Sequence, residues 1–231
     1  MPISSTLSDI APLIAGSRSR FDLWVRLLRA RPMECAVEIG VWKGDFAQAI
    51  LASFSDLTKY YMIDPWAQLP DWNKPFNVND QIFEEVYAEA LRKTDFAASR
   101  RIVLRGRTSG VIDEIPDQSL DFAYIDGDHT LRGITMDLIQ VLPKIKDGGL
   151  IGGDDFINKP WQHGTAYEPT LVCPFAVYFA EAMRLPFVAL PHKQFLIRRA
   201  AKAGFSFADL AGTYSDLSLK KLSQGGLGKS A

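Results

Sequence analysis

Short apolar runs alternate with longer amphipathic ones through most of the chain. The short runs are apolar at nearly every position, which is typical of strands buried on both faces of a parallel sheet. They are CAVEIG, KYYMID, RIVLRG, LDFAYID and GGLIGGDD. The longer runs between them repeat their apolar residues at helical spacing. Strands that alternate with helices predict βαβ units, and therefore an α/β fold with a mostly parallel sheet.

The two ends of the chain depart from this alternation. Apolar residues at helical spacing, ended by Pro32, predict one or two helices in a helical extension or cap over residues 1–34. After the last long helix, PFVALP and QFLIRR are separated by two polar residues, which suits an antiparallel hairpin at a sheet edge. We therefore predict one α/β domain over residues 35–200 and a C-terminal tail or short helix over residues 201–231.

Composition excludes several classes of protein. Of the 231 residues, 47% are hydrophobic, which is too many for a disordered chain. The 26 basic residues nearly balance the 27 acidic ones and cluster in no segment, so no nucleic-acid partner is expected. No apolar run approaches the roughly 20 residues that span a bilayer, and the N-terminus does not resemble a secretory signal. With Cys35 and Cys173 isolated, we expect a soluble, cytoplasmic protein without disulfides or a cysteine zinc site.

A glycine-containing loop follows the first predicted strand. Gly40 permits a sharp turn, and Gly44 lets the backbone approach a ligand at the start of the next helix. Asp64, at the end of the second strand, can accept hydrogen bonds from the ribose hydroxyls of a nucleoside. The alternative is that both glycines only shape turns and that Asp64 caps a helix. The spacing is not the GxGxxG of dinucleotide sites, which argues against an NAD-dependent oxidoreductase.

Carboxylates also gather where two later strands end. One strand leads into Asp126, Asp128 and His129, and the next leads into Asp154 and Asp155. Carboxylates that meet at the same sheet edge repel one another unless a cation or protons compensate, and hard oxygen ligands suit Mg²⁺, Mn²⁺ or Ca²⁺. A nearby histidine can accept a proton from a hydroxyl group. The alternative is that the aspartates cap helices and that the histidine is a solvated loop residue.

These motifs together resemble the class I S-adenosylmethionine-dependent methyltransferases. VEIGVWKG, YMID, FAYIDGDH and GGLIGGDD carry the resemblance, which spans about residues 35–200. The chain is most similar to the metal-dependent small-molecule O-methyltransferases that act on sugar hydroxyls of macrolides and related natural products. The resemblance implies a Rossmann-like sheet of seven strands with an antiparallel last strand. The PFVALP and QFLIRR runs match that ending.

The resemblance also assigns roles to residues. The methionine part of the cofactor would contact Glu38, Gly40 and Gly44, and the ribose would contact Asp64. Thr108 and Ser109 would lie near the adenine. A divalent cation, Mg²⁺ for example, would bind Asp126, Asp154 and Asp155, with Asp126 also counted in the cofactor site, and His129 would be the catalytic base. In catechol-type relatives a lysine holds that position, and some relatives carry Asn or Glu in place of Asp154 or Asp155.

The sequence thus predicts a methyltransferase that uses S-adenosylmethionine and a divalent cation to methylate a hydroxyl of a small metabolite, such as a sugar or glycosylated natural product. The alternatives are a metal-independent or nitrogen-directed methyltransferase of the same fold, and a module that binds the methyl donor without turnover. Two polar, aromatic segments, 65–79 and 156–169, are expected to shape the acceptor site, with His163 as an alternative base. The apolar face of the N-terminal helices would suit a homodimer or a cap over the site.

Overall fold

A sheet of eight strands forms the centre of the computed structural model, which describes residues 7–200 and 202–225. The strands are β1 (Cys35–Ile39), β2 (Lys59–Asp64), β3 (Arg101–Arg105), β4 (Leu120–Ile125), β5 (Ile145–Gly153), β6 (Pro186–Leu190), β7 (Gln194–Arg198) and β8 (Ser206–Asp209). Their order is β3-β2-β1-β4-β5-β7-β6-β8. Only β7 runs antiparallel to its neighbours in this described sheet. The predicted mostly parallel α/β fold with an antiparallel hairpin strand is confirmed.

Helices cover both faces of the sheet. They are α1 (Leu7–Ile14), α2 (Arg20–Arg29), α3 (Asp45–Ser53), α4 (Asp80–Lys93), α5 (Thr108–Val111), α6 (Leu131–Val141), α7 (Val172–Ala182) and α8 (Leu219–Gly225). One buried apolar cluster joins the sheet to α6 and α7, and a second joins it to α2, α3 and α4. The helices predicted before β1 are present, although residues 1–6 of that segment lie outside the described residues. Among the described helices, none has the length and apolar character needed to cross a bilayer.

The sheet has one strand more than the seven predicted. Strand β8 lies in the segment interpreted as a tail, and it pairs in parallel with β6. Phe207 stacks on Phe187 with 5.7 Å between ring centroids, and Ala208 is buried. This apolar run, set between polar and glycine-rich residues, is too short to distinguish a strand from a loop by its pattern alone. Positions 201 and 226–231 of the predicted tail lie outside the described residues.

The register of the central strands brings their carboxyl ends to one level. Ile39 at the end of β1 pairs with Ile63 of β2 and with Ile125 of β4, and Ile125 pairs with Gly153 of β5. The strand order reverses between β1 and β4, which is where open α/β sheets bind ligands. The residues that follow these four strand ends therefore share one edge of the sheet.

Helix α2 is held firmly against the sheet beneath this edge. The indole of Trp24 is fully buried and occupies the space above Gly152, where a β-carbon would lie 2.1 Å from the ring. Its Nε1 donates a hydrogen bond of 2.7 Å to Oε1 of Gln194. The Ser19 hydroxyl caps the helix by accepting from the amide of Asp22. These contacts place Arg20, the first residue of α2, at the carboxyl edge of the sheet.

Candidate active site

A cavity of about 540 Å³ opens at this carboxyl edge. Its volume lies in the range of sites that hold a cofactor or substrate. Nearly all the site residues predicted from the sequence line it. They are Glu38, Gly40, Asp64, Thr108, Ser109, Asp126, His129, Asp154 and Asp155. The cavity thus brings together the residues of both sequence motifs.

The two glycines of the loop after β1 have different reasons to lack a side chain. Gly40 has φ +83°, and a β-carbon there would lie 2.2 Å from the carbonyl oxygen of Asp126. Gly44 has φ +77°, but a β-carbon on it would meet the backbone of Ala90 in α4 at 3.0 Å. Gly44 lies outside the set of residues that line the cavity. Packing against α4, together with the positive φ, favours glycine at that position, and the ligand approach expected from the sequence stays a prediction.

Asp64 organises the loop that carries these glycines. Its Oδ2 accepts hydrogen bonds of 2.9 Å from the amides of Val41 and Trp42, and its Oδ1 accepts one of 2.8 Å from the amide of Trp66. Burial raises the pKa of Asp64, and the three amides oppose that shift. A carboxylate has about four acceptor positions, so about one is left for a ligand hydroxyl. Asp64 is therefore a loop organiser and not the helix cap considered as the alternative.

Two further acids in the cavity are buried. Glu38 is 2% exposed and accepts a hydrogen bond of 2.8 Å from the Tyr60 hydroxyl. Burial raises its pKa well above the usual range. Asp137 of α6 is 5% exposed, and its burial, partly opposed by a hydrogen bond with Thr108, raises its pKa to about 7. Asp137 was not predicted as a site residue, because an acid inside an amphipathic helix normally lies on the solvent face.

His129 lines the cavity and is largely buried, with its side chain 12% exposed. Its Nδ1 lies 2.8 Å from Oδ2 of Asp155, whose Oδ1 accepts from Gln162 at 3.0 Å. Its Nε2 is buried without a hydrogen-bond partner, 3.5 Å from Oδ1 of Asp126. Burial lowers the pKa of His129, but the hydrogen bond and charge of Asp155 outweigh burial, so the pKa is raised overall. The same contact lowers the pKa of Asp155 to about 2 against the effect of burial.

These contacts define the state of the imidazole. Asp155 accepts the proton on Nδ1, so the neutral ring keeps its lone pair on Nε2, which is buried 3.5 Å from Oδ1 of Asp126. Asp155 itself has φ +55°, an uncommon conformation for a residue other than glycine. His129 is therefore an oriented, largely buried side chain and not the solvated loop residue considered as the alternative.

The carboxylates predicted to bind a divalent cation are all engaged by protein donors. Nη1 of Arg20 lies 2.7 Å from Oδ2 of Asp126 and also forms an ion pair with Oδ2 of Asp154. Asp155 is paired with His129. Among the described residues, no group of three Asp, Glu, His or Cys side chains is arranged to hold a metal ion. Carboxylates that already contact Arg20 and His129 do not fit a bound divalent cation. The assignment of Asp126, Asp154 and Asp155 as metal ligands therefore stays a prediction from the sequence.

The two segments expected to shape the acceptor site meet over the cavity. Asn73 in the first segment donates from its backbone amide to the Glu168 carboxylate in the second, at 2.8 Å. Trp72 Nε1 donates to Oδ1 of Asp128 at 3.0 Å. Lys74 is 7% exposed and donates to the Thr170 hydroxyl at 3.2 Å. Hydrogen bonds therefore join the two segments to each other and to the loop after β4. We call the two segments together the cover.

A sequence profile described as a methyltransferase domain matches residues 37–156, which is over half of the 231 residues. The chain belongs to the methyltransferase domain family. The matched range runs from β1 to the residues just after β5, so it contains both predicted motifs. This membership removes the oxidoreductase alternative and identifies an S-adenosylmethionine-dependent methyltransferase. No curated protein matches the chain.

Solved structures share the fold of this methyltransferase at low sequence identity. A Staphylococcus aureus protein assigned as a caffeoyl-CoA O-methyltransferase is 12% identical, with a TM-score of 0.59 over 78% of this chain and 82% of that one. An S-adenosylhomocysteine-bound methyltransferase from Podospora anserina is 16% identical, with a TM-score of 0.54 over 78% of this chain and 77% of that one. These likenesses confirm the class I fold.

Several cavity residues of this methyltransferase escaped the sequence analysis. They are Arg20, Lys74, Asp137 and Gln162. Each lies on a helix or loop whose distance from the strand ends is set by tertiary packing, so no short motif marks it. For Arg20 the available signal was its position one turn before Trp24 on the apolar side of a predicted helix.

Proposed function

We propose that this methyltransferase transfers the methyl group of S-adenosylmethionine to a hydroxyl of a small acceptor, with His129 as the general base. The observation that carries the proposal is the contact between Asp155 and Nδ1 of His129, a residue of the cavity lining whose Nε2 has no hydrogen-bond partner. An alcohol is a weak nucleophile until its proton is removed, whereas an amine needs no such base once it is neutral. A buried, oriented imidazole therefore favours oxygen over nitrogen as the atom methylated.

The chemistry that the bound donor supplies is a methyl group on a positively charged sulfur. As the bond between the acceptor oxygen and the methyl carbon forms, the bond between that carbon and sulfur breaks. The acceptor proton passes to Nε2 of His129, and the negative charge of Asp155 stabilises the imidazolium that results. The protein must also hold the oxygen in line with the methyl carbon, which the bonded cover over the cavity supports.

The donor site in this proposal is the half of the cavity beside β1 and β2. Gly40 allows the donor to approach the backbone, and the remaining acceptor position of Asp64 suits a ribose hydroxyl. Glu38 and Asp126 line the cavity and would contact the methionine part, and Thr108 and Ser109 line it and would lie near the adenine. Gly44, the other glycine predicted to contact the donor, supports the shape of this loop through its packing against α4.

The acceptor in this proposal is a hydroxylated ring, such as a sugar or a glycosylated natural product. Support comes from the cover, which combines aromatic rings with hydrogen-bonding groups around the same opening. Trp72, Lys74, Phe76, Gln162 and His163 line the cavity there. Such a surface offers apolar contact to a ring face and polar contact to its hydroxyls.

The part played by a divalent cation is also a proposal. The sequence favoured a metal-dependent enzyme, with a metal-independent one as its alternative. The engagement of Asp126 and Asp154 by Arg20 favours the metal-independent alternative. We therefore propose a reaction in which the chain's own residues deprotonate and position the acceptor.

Substitution of His129 tests the function. With methyl-labelled S-adenosylmethionine and a panel of sugars and glycosylated phenols, His129→Ala should lower turnover by a factor of roughly 10² or more. Its affinity for S-adenosylhomocysteine, measured by calorimetry, should stay close to that of the wild type. His163→Ala is the matched control, because it removes a second cavity histidine, and it should change mainly the KM for the acceptor. Unchanged turnover in His129→Ala would refute the assignment of the base.

A further inference from the structure

A single nitrogen of Arg20 bridges two carboxylates that end neighbouring strands. Nη1 contacts Oδ2 of Asp126, which follows β4, and Oδ2 of Asp154, which follows β5. Two carboxylate oxygens that converge on one point are the arrangement by which proteins hold a cation. In this chain the point is occupied by a guanidinium from a distant helix.

The fold holds this guanidinium in place. Trp24 lies one turn after Arg20 on the same side of α2 and is buried against Gly152. Gln194 connects Trp24 to Asp154. Its Oε1 accepts from Trp24 Nε1, and its Nε2 donates to Oδ1 of Asp154 at 2.5 Å. The Tyr124 hydroxyl donates to the same Gln194 oxygen at 2.8 Å. A buried network therefore fixes both the helix that carries Arg20 and one of the carboxylates that it contacts.

The local charges favour a cation at this point. Asp126 and Asp154 are 19% and 13% exposed, so solvent screens their mutual repulsion only weakly. The Arg20 side chain is 31% exposed and lies over the Phe21 ring at 5.1 Å. Arginine stays charged at every physiological pH and can donate to two carboxylates at once. Arg20 thus supplies the compensating charge that a bound ion would otherwise provide.

We propose that Arg20 is the resident cation of the pair formed by Asp126 and Asp154, a positioning residue that takes the place of the divalent ion predicted from the sequence. The inference rests on the proposed function in one respect, namely that the acceptor oxygen reacts beside this pair. A fixed positive charge there keeps both carboxylates in place and favours the negative charge that develops on the oxygen. Because the charge belongs to the chain, a chelator cannot remove it.

Binding of Mn²⁺, followed by electron paramagnetic resonance, tests the inference without any acceptor. The wild type should bind no stoichiometric Mn²⁺, and Arg20→Met, which keeps an unbranched apolar side chain but removes the guanidinium and its charge, should gain one site. Arg20→Lys retains a charge and should gain none. The double variant with Arg20→Met and Asp154→Asn should lose the new site. Thermal melting and S-adenosylhomocysteine binding verify that each variant is folded.

Activity measurements give a second readout. The wild type should keep its full activity in EDTA, whereas Arg20→Met should be slow in EDTA and recover part of its turnover when Mg²⁺ or Mn²⁺ is added. Stoichiometric Mn²⁺ binding by the wild type would overturn the inference, and that result stands even if Arg20→Met fails to fold. A folded Arg20→Met that binds no more Mn²⁺ than the wild type would also overturn it. Since cation binding is measured without acceptor, either result is independent of the role proposed for His129.

Discussion

Replacing Asp137 with asparagine should stabilise the ligand-free protein at neutral and alkaline pH. Asp137 lies on the buried side of α6, 5% exposed, with a hydrogen bond to Thr108. Burial disfavours its ionised form and raises its pKa to about 7, from an ordinary value of 3.8. The folded protein therefore holds a proton on this group over a range of pH in which the unfolded chain has released it.

The sign and size of the effect follow from this difference. When the folded state binds more protons than the unfolded state, the free energy of unfolding falls as pH rises, by about 1.36 kcal/mol per pH unit. The fall begins near the unfolded pKa and is complete above the folded pKa, a span of about 3 units, so ionised Asp137 costs up to about 4 kcal/mol. An asparagine side chain has no charge to bury, so the Asp137→Asn variant should avoid this loss.

Urea denaturation of the wild type and of Asp137→Asn at a series of pH values measures this difference. The advantage of the variant should be near zero at about pH 4 and should grow until about pH 8. Asp56→Asn, an exposed substitution of the same kind, should stay within roughly 0.5 kcal/mol of the wild type throughout. A difference between Asp137→Asn and the wild type that does not vary with pH would refute the reasoning.

Two further substitutions test the loop after β1. Gly40→Ala should destabilise the protein by more than about 2 kcal/mol in thermal or urea denaturation, because its methyl group would lie 2.2 Å from the Asp126 carbonyl oxygen. Gly212 has φ +66°, and a β-carbon added there would meet no atom of the described residues within 4 Å. Gly212→Ala should therefore show only the roughly 1 kcal/mol cost of the backbone conformation. Equal losses in both variants would contradict this account. Asp64→Asn should weaken S-adenosylhomocysteine binding in calorimetry by roughly tenfold, because one amide oxygen cannot serve the three amides that the carboxylate holds. Unchanged affinity would show that the loop keeps its shape without them.

The sequence predicted the site residues that follow the strand ends. It did not predict the contacts that depend on how helices and loops pack against the sheet. Alternation of buried strands with helices gave the order of elements, and the tips of β1, β2, β4 and β5 carry the acids and glycine that line the cavity. Parallel pairing forces these tips to one level, so adjacency followed from the pattern alone. Strand β8 was missed because its four-residue run, Ser206–Asp209, is too short to indicate a strand, and its pairing with β6 is a tertiary contact.

The partners of the predicted site residues were harder to foresee. Gly44 carries the expected residue type for a reason that the sequence did not indicate, since its contact is with Ala90 of α4. Arg20 precedes Asp126 by 106 positions, and a contact over that separation leaves no local pattern. The chemical types at the strand tips were therefore predictable, whereas the charges that balance them were not.

The carboxyl groups around the cavity are held in four different ways, and this has a consequence for the ligand. Backbone amides hold Asp64, the guanidinium of Arg20 holds Asp126, the imidazole of His129 holds Asp155, and a raised pKa keeps Asp137 protonated up to about 7. None of these four interactions gives the cavity an excess of positive charge. A methyl donor that carries a positive sulfur therefore enters a site whose carboxylates attract it, and transfer of the methyl group discharges the sulfur. The same fields that attract the donor thus act less strongly on the product, which favours its release once the methyl group has moved.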